Sequence, residues 1–81
     1  MQDLLEMILK EIVTHPEDIS IEEQVDQDDP SFVTYLIRAN DDDKGLIIGK
    51  GGRMISAIRD VISIKAVREN KKVRLEIVDE E

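Results

Sequence analysis

Residues 46–55 read LIIGKGGRMI, and three of the chain's four glycines fall within these ten positions. Glycine is the costliest residue after proline to place in a helix, because it has the most backbone freedom to lose. Three glycines around one lysine, between two apolar runs of helical spacing, therefore mark a break between helices that has a use of its own. One use is structural: a tight helix–helix turn asks for a left-handed C′ residue, here Gly49, and a small residue for close packing, here Gly52. That covers one or two glycines and asks for no flanking cations. The other use is anion binding. A backbone without Cβ atoms lets a phosphate come close, the first N–H groups of the second helix point at it, and the helix dipole favours negative charge there. Lys50 and Arg53 add attraction over a longer range. The second use explains more of the stretch.

Beyond the glycines, Met54, Ile55, Ile58, Val61, Ile62 and Val67 recur mostly at three- and four-residue spacing, which predicts a helix. RENKK (68–72) ends it, and VRLEIV (73–78) alternates as a strand. Before the glycines, NDDD (40–43) reads as a helix start, with an Asn/Asp cap and acidic residues over the first turn. FVTYLIRA (32–39) is rich in β-branched and aromatic residues, with Val33, Tyr35, Ile37 and Ala39 on one face of a strand. Ile19, Ile21 and Val25 fall at even separations, and DQDDPS (26–31) is a polar turn, so the two segments read as an antiparallel hairpin. DLLEMILKEIV (3–13) carries apolar residues along one helix face, with Asp3 as its expected N-cap and His15-Pro16 as its stop.

The element order is αββααβ. A two-helix crossover separates strands 32–39 and 73–78, which makes them parallel neighbours with a right-handed connection. The expectation is an α+β domain: a three-stranded mixed sheet with helices packed on one face. It forms one domain over residues 1–78, and DEE (79–81) is an acidic tail.

Composition excludes several classes of function. The 81 residues include no cysteine, so neither a disulfide nor a thiolate zinc site can form, and one histidine argues against an imidazole metal site. Asp41-Asp42-Asp43 is explained by helix capping more simply than by a metal, and His15 reads as a helix-end residue. No cofactor is implied. No nucleophile–base pair or carboxylate dyad stands at a recognisable spacing, so an enzyme is not expected. The longest apolar run is three residues, far short of a membrane span, and no basic, apolar leader opens the chain; a cytoplasmic protein is expected.

The net charge of −8 argues against a nucleic-acid partner until its distribution is considered. Residues 1–44 hold 3 Lys/Arg against 13 Asp/Glu, whereas residues 45–78 hold 8 against 3. The basic part begins at the glycines, which hints at an anionic partner. A Walker A loop is ruled out, because only three residues separate Gly45 from Gly49 and Gly51 stands where a magnesium-binding hydroxyl belongs. The G-x-G-x-x-G pattern of dinucleotide sites does not fit either.

What fits is a helix–GxxG–helix. IIGKGGRMI (47–55) resembles the core of the KH nucleic-acid-binding domain, and the αββααβ order resembles its type II, bacterial form. With the chain length, HPE (15–17), AIR (57–59) and the closing VRLEIV, the resemblance extends over essentially the whole chain to the small stand-alone bacterial KH proteins of the KhpA or YlqC-like family. It implies single-stranded RNA as the partner, clamped by Gly49, Lys50, Gly51, Gly52 and Arg53, and a chaperone or post-transcriptional regulatory role. Further residues it implies along a shallow aliphatic groove are Ile48, Met54, Ser56, Ile58, Arg59 and Leu75, with strand 73–78 and the basic connection 65–72 as the far wall. Phe32 and Tyr35 are the only aromatics, so aromatic base stacking is not expected. It also implies self-association and pairing with a larger multi-domain KH protein of the KhpB or Jag type, and no membrane partner. Lys44 stands where the family usually has an apolar residue, and Leu46 where it usually has a basic one. A second reading is a KH-shaped protein-interaction module with a vestigial RNA site; the intact Gly-Lys-Gly-Gly argues against it.

Overall fold

The computed structural model describes residues 1–78, so the tail expected at 79–81 lies outside the described residues. Helix α1 (Gln2–Ile12) leads through a 3-10 turn (Pro16–Asp18) into strands β1 (Ser20–Val25) and β2 (Phe32–Arg38). Helix α2 (Asp41–Ile48), a second 3-10 turn (Lys50–Gly52) and helix α3 (Arg53–Arg68) follow, and β3 (Lys72–Ile77) closes the order. β2 lies at the centre of the sheet, antiparallel to β1 with Ile21 opposite Ile37, and parallel to β3 with Tyr35 opposite Leu75. The mixed three-stranded sheet and the αββααβ order agree with the sequence reading.

The alternation in β2 sorts its residues as expected. Val33, Tyr35 and Ile37 are buried, and the residues between them are half-buried. They meet Leu5 and Leu9 of α1, Ile47 of α2, and Ile58 and Ile62 of α3 in one apolar cluster, each buried side chain contributing about 1.5–3 kcal/mol. The Tyr35 hydroxyl escapes the cluster and donates to Glu23 Oε1 at 3.2 Å.

Four local expectations need correction. Asp3 is not the cap of α1; Met1 holds that position without a side-chain bond, and Asp3 sits in the first turn, where it still complements the dipole. β1 is largely exposed rather than half-buried, and Val25 at its far end is 53% exposed. The apolar residues of α3 divide: Ile58 and Ile62 are core, whereas Met54, Val61 and Val67 are exposed along with Ile64. Ile58 therefore leaves the list of groove residues.

The fourth correction concerns Asp43. It is completely buried, and it ties the end of α1 to the start of α2. Its Oδ1 accepts from the Thr14 N–H at 3.0 Å and the Thr14 hydroxyl at 2.7 Å, and its Oδ2 accepts from the His15 N–H at 2.9 Å. His15 Nδ1 completes the set at 3.2 Å from Oδ2. Burial raises the carboxyl pKa, but the bonds from Thr14 and His15 outweigh it and hold the group at about 2, below its ordinary 3.8. Capping proper falls to Asn40, whose side chain accepts from the Asp42 N–H at 2.9 Å and donates to Asp18 at 3.0 Å. Asn40 and Asp43, the two ends of NDDD, thus do different work.

Candidate nucleic-acid interface

Helix α2 stops at Ile48 because Gly49 takes φ 73° and ψ 174°, a conformation open essentially to glycine alone. Its N–H still reaches back to Gly45 C=O at 2.8 Å, so the helix ends on a satisfied bond. A Cβ on Gly49 would lie 2.6 Å from Met54 Cβ and 2.8 Å from the Met54 backbone nitrogen. The close approach in this turn is therefore made by Gly49. Gly52, expected to serve packing, has open space around its Cα and instead supplies the left-handed conformation, with φ 77° and ψ 13°. Gly51 is also at positive φ, 63°, and equally open. The two glycine roles are exchanged relative to the sequence reading, and the reason is backbone path: the chain must fold back before α3 begins, so α3's first turn packs on the residue that ends α2.

The result is a prominent, exposed turn. Lys50, Gly51 and Arg53 are exposed, Gly49 and Gly52 half-buried, and the turn is closed by the Gly52 N–H on Gly49 C=O at 3.2 Å. Ile48 (41% exposed) and Met54 (39%) flank it, and Leu46 is exposed nearby on α2. The two helix starts differ in charge. The first turn of α2 holds Asp41, Asp42 and Asp43, which occupy its positive end. The first turn of α3 holds no acidic residue, carries Arg53, and has no side-chain cap, so no carboxylate or cap offsets its positive end.

Of the residues expected at the site, Ile48 through Met54 form one continuous stretch, exposed except for the half-buried Gly49 and Gly52, and Ser56 and Arg59 follow on α3, half-buried and exposed respectively. Leu75 stands apart. It lies mid-strand in β3, half-buried against the core, where it supports the sheet rather than offering a free side chain.

Sequence reading missed the burial of Asp43, although a signal was present: Asp43 and Ile47 are four residues apart and so share the core-facing side of α2. The cluster of Thr14, His15 and Asp43 has the residue types of a hydrolytic triad but not its wiring. Thr14 Oγ1 (2.9 Å) and Asp43 Oδ2 (3.2 Å) both meet the same ring nitrogen, Nδ1, so the imidazole cannot pass a proton from one to the other.

Two helices joined by a GxxG turn, packed on a sheet of order β1-β2-β3 with only the last pair parallel, define a type II KH domain. The family model described as KhpA/KhpB, KH domain, matches residues 2–77, and the chain belongs to that family. A Clostridium perfringens relative named RNA-binding protein KhpA is 37% identical over 78 residues, covering 96% of this chain and 100% of the relative. A Chlamydia caviae protein of the same name is 39% identical over 80 residues, covering 99% of each. Among solved structures, Aquifex aeolicus Era bound to GDP and aluminium fluoride is similar with a TM-score of 0.59 at 18% identity. That match covers 93% of this chain and 28% of Era, and it speaks to the fold alone.

Proposed function

We propose that this chain is an RNA-binding protein that holds single-stranded RNA through the turn Gly49–Gly52, and that it acts as an RNA chaperone or post-transcriptional regulator. The observation that carries the reading is the turn itself: three positive-φ glycines expose backbone beside Lys50 and Arg53, at a helix start free of acidic residues. Two of its relatives are named RNA-binding proteins, which supports the RNA-binding part of the reading. In the mechanism, the turn engages the sugar-phosphate backbone and presents bases to the aliphatic side chains of Ile48 and Met54. Ser56 and Arg59 extend the contact along α3. Aliphatic contact with unstacked bases needs no aromatic platform. The test is charge reversal in the turn, Lys50→Asp with Gly51→Asp. RNA binding is expected to disappear while circular dichroism stays that of the folded protein; unchanged affinity in the folded double variant would sink the reading.

A second reading has its own observation. Val61 (46% exposed), Ile64 (65%) and Val67 (71%) leave an apolar strip on the outer side of α3. Val61 and Ile64 of this strip, with Leu4 of α1, line a shallow cavity of about 490 Å³ rimmed by Lys65, Arg68 and Glu69. Such a patch fits protein contact, either self-association or pairing with a larger KH protein of the KhpB type. An Ile64→Asp, Val67→Asp variant that loses a partner while keeping RNA separates this role from that of the turn.

A further inference from the structure

The chain has three methionines and no cysteine, so all of its sulfurs are thioethers. Met1, at the N-cap of α1, packs against the core. Met7 on α1 and Met54 on α3 are exposed. Met54 alone of the three stands at the candidate interface. It is the second residue of α3, just beyond Gly52, and the exposed Ile48 flanks the other side of the turn. The base of its side chain is fixed, because Met54 Cβ fills the space that a Cβ on Gly49 would need. A flexible thioether arm thus starts from a held point beside the turn.

Oxidation changes what this arm offers to RNA. A thioether is apolar and polarisable and favours contact with an aromatic ring, the face of an unstacked base included. Hydrogen peroxide converts it to the sulfoxide. The sulfur lone pair attacks one peroxide oxygen, the S–O bond forms as the O–O bond breaks, and the displaced oxygen leaves as water after proton transfer. Sulfur loses two electrons and the peroxide gains them. The product is polar, and its oxygen accepts hydrogen bonds. Helix α3 begins with no carboxylate and no side-chain cap, and with Arg53 next to Met54. An acceptor introduced there competes with phosphate for the same positive end, while the base loses an apolar contact.

We propose that Met54 is a reversible oxidation site, and that its sulfoxide form releases single-stranded RNA from the turn. The oxygen comes from a peroxide. A methionine sulfoxide reductase removes it as water, drawing two electrons from a dithiol. This rests on the RNA-binding reading above. Met7 supplies an internal control. At 59% exposed it is the more open of the two, so it takes up oxygen as well. It lies on α1, outside the Gly49–Gly52 turn and the first turn of α3, so its oxidation leaves RNA binding untouched.

The experiment treats the full chain with hydrogen peroxide and reads oxygen uptake at each methionine by peptide mass mapping. Fluorescence anisotropy with a labelled single-stranded oligouridine gives the RNA affinity before and after treatment. The oxidised chain is expected to bind about tenfold more weakly with its circular dichroism unchanged. Methionine sulfoxide reductases A and B with dithiothreitol are expected to restore the affinity. Met7→Leu is expected to show the same loss on treatment, whereas Met54→Leu, compared with its own untreated affinity, is expected to show none. Met54→Gln, polar and of similar length, is expected to bind more weakly than Met54→Leu without any oxidant. The proposal is overturned by a Met54 that stays unmodified while Met7 is oxidised, by a Met54 sulfoxide that binds RNA as before, or by a loss that persists in Met54→Leu. Each of these leaves RNA binding by the untreated chain standing. An untreated chain that binds no RNA overturns both readings.

Discussion

Gly49 and Met54 stand so close across the turn that a side chain on Gly49 would place its Cβ 2.6 Å from that of Met54. The contact locks the end of α2 to the first turn of α3, and so fixes the exposed residues between them.

A graded response of the glycines follows from it. Gly49→Ala meets both a glycine-only conformation and a backbone nitrogen at 2.8 Å, and should cost about 3 kcal/mol. Gly51→Ala meets open space at φ 63° and should cost about 1–2 kcal/mol. Gly45→Ala lies within α2 with nothing near, and should stabilise by about 0.5–1 kcal/mol. Urea denaturation of the three variants checks the order; a Gly49→Ala protein as stable as Gly51→Ala would contradict the close packing.

Asp43 predicts an acid-sensitive latch. Its folded-state pKa, about 2, lies below the ordinary 3.8, so the stability it contributes is complete above about pH 4 and is lost as pH falls through about 2. Asp43→Ala strands the Thr14 and His15 donors without their acceptor, and the melting temperature should fall by about 10 °C at neutral pH. Melting curves between pH 2 and 5 should then be flatter for the variant than for the unaltered chain.

Tyr35 predicts the opposite limb. Burial, then the neighbouring Glu23 carboxylate, raises its phenol to about 12. An acid whose folded value lies above its unfolded 10 supports the fold fully below pH 10, and that support disappears as pH rises through about 12. Tyr35→Phe should lose less stability than the unaltered chain over this interval, measured by alkaline titration of the circular dichroism signal.

The proposed RNA contact predicts a salt signature. Each phosphate neutralised on a single strand contributes about 0.7 to the slope of log affinity against log salt. Lys50→Gln and Arg53→Gln should each lower that slope by about this amount. Slopes unchanged in both variants would place the phosphates elsewhere.

The sequence by itself determined the element order and most of the core. Helical and alternating periodicities are local, and in a small domain with one sheet they leave few ways to bury the apolar faces. It also located the exposed turn, because glycine clusters and charge asymmetry are properties of the chain rather than of its packing. Only the tertiary structure decided which glycine is crowded, since that depends on where α3 begins relative to α2. It likewise decided that Asp43 is a buried bracket while Asp41 is exposed, and that Leu75 supports the sheet. Those assignments depend on residues far away in sequence, Thr14 and Tyr35 among them. Interactions that join distant segments leave no local period to read.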